Sequence, residues 1–542
     1  MFYKIQLNQG VIMKPVLELK TGYGDAENYQ RRENRELFNR IFVKNEYLDN
    51  ILLPSTFFLI GEKGTGKTAC AVYLANNEYK ETISSLKYIR ETEYQKFVTL
   101  KREKQLQLSD YTSIWKVVIL LLLSKELKRD ELDHDPFSKA QKMKDILSAI
   151  DEYYSNAFAP EIINALVFVE NSTLAAELIS KHLRAGGEVG ATATFNESRF
   201  QVNLLFLENK FKEAISSIKI KQNHFLFIDG IDIRPSAIPY PEYLECIKGL
   251  AGAIWSLNHD FFANIKDSKG RFRSMLLVRP DIFNSIGLQN MTNKVKDNSV
   301  YFDWRTTYPY YKTSQIYTLA DRFLAAQQDN PIQPGKCWEY YFPWKSQSTS
   351  PEGDLDPSFI DFLRISYSRP RDIITMISLL QEELKQDVFS EEKSSFRLSD
   401  FKSARFQNHY SDYLMGGIRD QLSFYYDNAD YEMFLRFFSF LDNRAEFTYD
   451  QYIVAYDKFT EFVLNNHTDI PNFIESKEKF LQFLYDTNII CYIEETELEP
   501  LFRWCYRERI YSNISPKVKP GLKYRIHYGL HKALNVGFRV KV

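Results

Sequence analysis

The chain has few of the residues that build covalently stapled or metal-held scaffolds. Its 542 residues include five cysteines, Cys70, Cys246, Cys337, Cys491 and Cys505. They are scattered, odd in number and form no CxxC pair, which argues against a disulfide framework and a zinc site. A reducing compartment, the cytoplasm, is the expected setting. His527 and His531 lie four apart without a third ligand in reach of the pattern. Long hydrophobic runs are also missing. The most apolar stretch, VVILLLLS at 117–124, is bounded by Lys116 and Lys125. It is far short of the roughly 20 residues that cross a bilayer, so it reads as a buried segment and no membrane partner is expected. The opening MFYKIQLNQGVIMKP lacks the apolar core and small-residue cleavage site of a secretory leader. Net charge is small, at -2, which argues against a chain that coats nucleic acid with its whole surface.

What is present is aromatic: 41 Phe and 35 Tyr, enough for helical domains packed through ring contacts. The length implies three or more domains. Apolar residues at helical spacing in AENYQRRENRELFNRIF (26–42) predict an amphipathic helix. Three non-alternating apolar runs predict strands of a parallel sheet covered on both faces: FFLI (57–60), NHFLFID (223–229) and RSMLLV (273–278). A further strand is expected near 85–89, helices at 115–126 and after Pro370, and a helix followed by a strand over 477–495. A long, mostly helical stretch separates the first two apolar runs, with a Gly- and Ala-rich break at 185–194.

The first apolar run leads into Gly61-Glu62-Lys63-Gly64-Thr65-Gly66-Lys67-Thr68-Ala69, a full match to GxxxxGK[ST] between a strand and a helix. Gly61, Gly64 and Gly66 let the loop curl so that backbone N–H groups face a phosphate chain. The next helix presents its N-terminus to the same anion. Lys67 is expected on the β and γ phosphates and the Thr68 hydroxyl on Mg²⁺. The second run ends in Asp229, at the strand end where open α/β sheets place ligands, and Asp229 is the second expected Mg²⁺ ligand.

Hydrolysis also needs a group that positions water. The residue after Asp229 is Gly230, which has no side chain. Asp232 is the next carboxylate and the candidate base, with capping of its own loop beside Arg234 as the alternative. Glu62 is a third candidate, with solvent or a basic neighbour as its alternative setting. Arg279 ends the third run and is a candidate γ-phosphate sensor, or else the partner of Asp281 or Asp232. Arg369 and Arg371 flank Pro370 at a helix start, and Arg371 is the preferred lid sensor. Arg271 and Arg273 are candidates for an arginine finger to a neighbouring subunit, or a solvated basic turn.

Together FLIGEKGTGKT, FLFIDGIDIRP, MLLVRPDIF and SRPRDII resemble a bacterial group of P-loop ATPases of the AAA+/STAND type, over roughly residues 20–385. The resemblance implies an α/β fold: a three-layer αβα core with a helical insertion, a helical lid and a C-terminal winged-helix-like domain. It matches Lys67 and Thr68 to the phosphate-loop pair, Asp229 to the Walker B carboxylate, Arg279 to the sensor after the fourth strand and Arg371 to the lid sensor. It favours ATP with Mg²⁺, and Asn293-Lys294-Val295-Lys296 lacks the Asp of a guanine-reading motif. The expected division is an adaptor at 1–50, core at 51–127, helical insertion at 128–220, core at 221–310, lid at 311–400, a helical domain at 401–475 and a basic winged-helix-like domain at 476–542. Members of this wider class act as molecular switches, and several are similar to bacterial phage-defence proteins.

Between 507 and 541 there are nine Lys or Arg, with Glu508 the sole acid. A helix, a strand and a basic turn at 516–521 suit a winged helix whose wing touches phosphates. The apolar spacing of IHYGLHKAL (526–534) suits a buried helix face. DNA or RNA contact, protein contact and intramolecular closure are the three readings of this segment. The expected function is an ATP-binding, ATP-hydrolysing switch that controls a protein effector or its own homo-oligomeric assembly. The alternatives are a nucleic-acid-dependent ATPase and a nucleotide-gated scaffold with negligible hydrolysis.

Overall fold

A computed structural model describes residues 13–89, 108–156, 197–234, 238–287, 291–347, 355–386, 393–466, 470–497 and 500–537. The break expected at 185–194 lies outside them, as do Arg539 and Lys541. Strands β1 (Phe58–Ile60), β2 (Thr82–Tyr88), β3 (Asn223–Asp229), β4 (Phe272–Val278) and β5 (Ser299–Tyr301) form one sheet in the order β2-β3-β4-β1-β5. Every pair is parallel.

Successive residues of a strand face opposite sides, and the central strands carry unbroken apolar runs, Phe58–Ile60, Phe225–Ile228 and Met275–Val278, because both faces are covered. Phe225, Phe227, Met275 and Leu277 pack into one core, and Leu226, Ile228, Leu276 and Val278 into another. The first core takes helix α3 (Lys67–Asn76), together with α1 (Arg32–Ile41) and α2 (Glu46–Ile51) from the N-terminal segment. The second takes α4 (Leu108–Glu126), α5 (Pro136–Asn156), α6 (Glu197–Ser216) and α7 (Tyr240–Ser256). The apolar run at 117–124 is the middle of α4, with Val117 to Leu123 all buried. Among the described residues no helix is long and apolar enough to cross a membrane.

Helix α3, which follows β1, lies on one face of the sheet, and α8 (Pro280–Ile286), which follows β4, lies on the other. Because β1 and β4 are neighbours, their continuations diverge and open a crevice at the carboxyl edge, where such sheets hold ligands. The register levels the strand ends: Ile60 is opposite Val278, and Ile228 is opposite Leu276. Gly61 and Arg279 therefore emerge side by side, and Asp229, level with Leu277, ends its strand two residues earlier at the same edge.

Beyond the sheet come α9 (Gln315–Ala325), α10 (Pro370–Leu384), α11 (Ala404–Leu422), α12 (Tyr449–Asn466) and α13 (Lys477–Asp486). A second sheet, antiparallel, is built from β6 (Glu446–Thr448), β7 (Ile490–Glu494), β8 (Leu501–Trp504) and β9 (Lys523–Ile526), in the order β8-β7-β9-β6. Since β6 pairs with β9, the helical stretch at 401–475 and the terminal stretch share one sheet. Phe437 packs edge-on against Phe459 and Phe480, and Phe473 stacks on Phe480, in the core between α12 and α13. The α-helix suggested by IHYGLHKAL does not form. The strand ladder holds this stretch to Ile526, His527 N–H donates to Ile489 O at 2.8 Å, and only a 3-10 turn follows at Tyr528–Leu530. The chain is thus a parallel α/β core with separate helical and antiparallel-sheet regions.

Candidate functional site

The crevice opens into a cavity of about 560 Å³, within the usual size of a small-molecule site. One end is polar. Lys63, Gly64, Gly66, Lys67, Thr68, Asp229, Gly230, Asp232, Arg279 and Arg371 line it. Gly66 caps α3 at φ 93°, a left-handed conformation that glycine adopts without steric cost. The ladder of α3 starts with Cys70 N–H to Gly66 O at 3.0 Å. The N–H groups of Lys67, Thr68 and Ala69 precede it, have no partner in the helix ladder, and carry its positive dipole end.

Lys67 Nζ donates to Gly61 O at 2.7 Å and Glu62 O at 3.1 Å. Burial lowers its pKa, while Asp232 and Asp229 pull the other way. Thr68 Oγ1 donates to Asp229 Oδ2 at 2.6 Å, and Gly230 N–H donates to Asp229 Oδ1 at 2.8 Å. Burial, with Asp232 adding repulsion, pushes the Asp229 carboxyl up to about 6. A buried carboxylate next to a second carboxylate and a hydroxyl is a site that favours a cation. Asp232 lines the same wall. Among the described residues no cluster of three or more His, Cys, Asp or Glu has metal-ligand arrangement, so any cation here would complete its shell from elsewhere.

The arginines divide. Arg279 is 2% exposed and grips Asp281, Nε to Oδ1 at 3.1 Å and Nη2 to Oδ2 at 2.9 Å. Tyr425 Oη donates to the same Oδ2 at 3.0 Å. Burial opposes the charge on Arg279, but Asp281 and Asp232 outweigh it and its pKa is raised. The ion pair with Asp281, one of its expected roles, is formed, and Arg279 also lines the cavity. Arg369 is likewise committed, to Asp372 at 2.8 Å. Arg371 is different: its backbone N–H donates to Gly64 O at 3.3 Å, and its side chain lies against Gly64 and lines the cavity. Arg273 is buried over the Phe225 ring at 4.3 Å and bonds to Ile51 O and Leu53 O. It is no finger, because it is sealed near the amino edge of β4. Arg271, at that same edge, is exposed.

The other end of the cavity is apolar and comes from residues that the motifs did not single out. Tyr29, Phe38, Ile41, Phe42 and Val43 of the N-terminal segment face Leu319 and Phe323 of α9 and Ile374 of α10. Their amphipathic spacing marked them as buried, but nothing in the chain order marks them as neighbours of residues 61–69. Tyr413 and Asp420 of α11 close the polar end.

Two side chains of the loop reach the C-terminal half. Glu62 forms an ion pair with Arg509, which is 4% exposed and also bonds to Asp486 O and Cys505 Sγ. Lys63 pairs with Asp420 at 2.5 Å. Trp304 Nε1–H donates to Thr65 O at 2.7 Å from the other side. The basic terminal segment is largely paired within the molecule: Lys519 with Glu494, Lys523 with Glu495 and Arg525 with Glu446. Acids from neighbouring strands thus neutralise charges that stand in a basic run along the chain. His527 is fully buried among Tyr367, Trp504 and Tyr506, and His531 Nε2 is 3.1 Å from Ile526 O.

Known protein families, curated proteins and solved structures were compared with the chain, and none matches.

Proposed function

We propose that the chain is an ATP-binding molecular switch of the AAA+/STAND type that hydrolyses ATP slowly or on demand of a protein partner. One observation carries this reading: Lys67, Thr68 and Asp229, far apart in sequence, converge at the polar end of a cavity whose other end is apolar. A polyphosphate suits the lysine, the α3 N–H groups and Arg371. A purine suits the wall of Phe42, Val43, Leu319, Phe323 and Ile374. Thr68 and Asp229 would hold Mg²⁺, which neutralises phosphate charge when bound.

The reading of a gated scaffold with negligible turnover also has a specific support. Gly230 sits at φ 90°, and a Cβ there would lie 2.5 Å from Ile89 O. No side chain fits at the position after Asp229, so the task of positioning water falls to Asp232, three residues on. Use of the terminal segment to bind DNA or RNA is the weaker alternative, because Lys519, Lys523 and Arg525 are already matched by Glu494, Glu495 and Glu446. Switching in antiviral defence rests on the sequence resemblance alone.

The test is equilibrium binding of ATP and ADP with Mg²⁺, and turnover with and without double-stranded DNA, for the wild type and Lys67→Ala. Micromolar binding lost in the variant is expected, with little or no stimulation by DNA. Equal binding by both proteins would refute the site.

A further inference from the structure

We propose that the Lys63–Asp420 pair makes this cavity discriminate by phosphate number, favouring a nucleoside diphosphate over a triphosphate, which must break the pair. The inference rests on the nucleotide reading above and goes beyond it. Lys63 is the third residue of the 61–68 loop, and its Nζ is 2.5 Å from Asp420 Oδ2. Both residues line the polar end of the cavity, with Lys67 and Arg371. Asp420 lies in the last turn of α11, and Tyr413, two turns earlier, lines the same wall.

Asp25, Glu27, Asp229, Asp232 and Asp420 line the cavity, and the last three differ in what they do. Asp229 accepts from Thr68, Asp232 stands beside it, and Asp420 arrives from the C-terminal half and spends its charge on Lys63. A diphosphate is served by Lys67 and the N–H groups of α3, which the Lys63–Asp420 pair leaves alone. A third phosphate adds negative charge and acceptor oxygens in the same space. It attracts Lys63 with charge-assisted hydrogen bonds and is repelled by Asp420.

Exposure indicates which contact yields. The side chains of Lys63 and Asp420 are 33% and 59% exposed, and exposed ion pairs are weak and readily exchanged. Arg509 and Glu62, at 4% and 18%, are sealed. A triphosphate would thus displace the Lys63–Asp420 contact and leave the Arg509–Glu62 pair in place. Asp420 is a specificity-determining residue on this account, and Lys63 is the cation it withholds.

The experiment is calorimetric titration of the full chain with Mg²⁺-ADP and with a Mg²⁺-bound non-hydrolysable ATP analogue. Wild type, Asp420→Asn and Lys67→Ala are compared at low and high salt. Asp420→Asn is isosteric at an exposed position, and circular dichroism checks its fold. The expected result is that Asp420→Asn tightens the analogue about tenfold and changes ADP less than twofold. High salt, which screens exposed charges, weakens the repulsion by Asp420 and so narrows the wild-type preference for ADP. An unchanged ratio in Asp420→Asn, or an equal shift for both ligands, overturns the proposal while leaving the nucleotide site intact. Failure of wild type and Lys67→Ala alike to bind either ligand overturns the nucleotide reading itself, and this inference with it.

Discussion

Arg509 and Glu62, 447 positions apart, form a buried ion pair that joins the terminal module to the glycine-rich loop. Burial opposes the charge on Arg509, but Cys505, Glu62, Asp281 and Asp486 together outweigh it and raise its pKa. Asp281 in turn holds Arg279, which lines the cavity. The loop, the strand end after β4 and the terminal module therefore share one electrostatic cluster.

Removing Glu62 takes one carboxylate from Arg509, which keeps Asp281 and Asp486 nearby, so the loss is that of a hydrogen bond between charged groups, about 1.5–3 kcal/mol. Glu62→Ala is expected to lower unfolding stability by that order in urea titrations and to speed proteolysis of the terminal module. Lys63→Ala, which breaks the exposed pair with Asp420, should change stability by no more than about 1 kcal/mol. Equal effects of the two variants would show that the Arg509 contact is not sealed.

Gly230 faces a different constraint. Its φ of 90° and the 2.5 Å that would separate an added Cβ from Ile89 O both penalise a side chain. Gly230→Ala should cost about 1–3 kcal/mol, seen as a fall in melting temperature. Gly230→Glu should be at least as unstable and gain no turnover, although it adds a carboxylate next to Asp229. A rise in ATPase rate would show that the backbone there can relax.

Asp229 yields a prediction in pH. Burial raises its carboxyl from the ordinary 3.8 to about 6, so the fold favours the protonated form. The stability this contributes is complete below about pH 3.8 and is lost as pH rises through about 6. At pH 7.5 the ligand-free protein holds an ionised, buried Asp229 at a cost. Asp229→Asn should therefore melt higher than wild type at pH 7.5, with the difference shrinking towards pH 4.5, and should lose Mg²⁺-dependent nucleotide binding. A difference in melting temperature that does not change with pH would exclude Asp229 as its source.

Trp304 supplies an optical probe. Its indole N–H donates to Thr65 O at 2.7 Å, inside the loop that would close on phosphate. Addition of Mg²⁺-ADP should shift or quench tryptophan emission, and Trp304→Phe should remove most of that change while binding persists by calorimetry. An undiminished signal in Trp304→Phe would place the reporter elsewhere.

Much of the parallel core was legible in the chain. FFLI, NHFLFID and RSMLLV lack alternation because a strand covered on both faces needs apolar residues on both, and the structure buries alternate residues in two cores. The turn at residues 61–68 was legible too, because its glycines and its flanking strand and helix are local. The terminal segment shows where such reading stops. Its run of Lys and Arg looks like a free basic surface until Glu446, Glu494 and Glu495 are brought across the antiparallel sheet. IHYGLHKAL has the spacing of a helix, but the ladder to Ile490 and the bond from His527 N–H to Ile489 O take its start.

By itself the sequence determined the local parts: a strand ending in a glycine-rich loop, a lysine and threonine opening a helix, and a carboxylate at the end of a second apolar strand. These depend on contacts within a few residues, where side-chain type and backbone freedom decide the outcome. Only the tertiary structure decided what those parts face. It gave Arg279 to Asp281 and left Arg371 in the cavity, and it built the apolar wall from the N-terminal segment, α9 and α10. It also set Arg509 on Glu62 and Asp420 on Lys63. Such pairings depend on how separate elements pack and on which charges are thereby shielded from water, and no spacing along the chain encodes that distance.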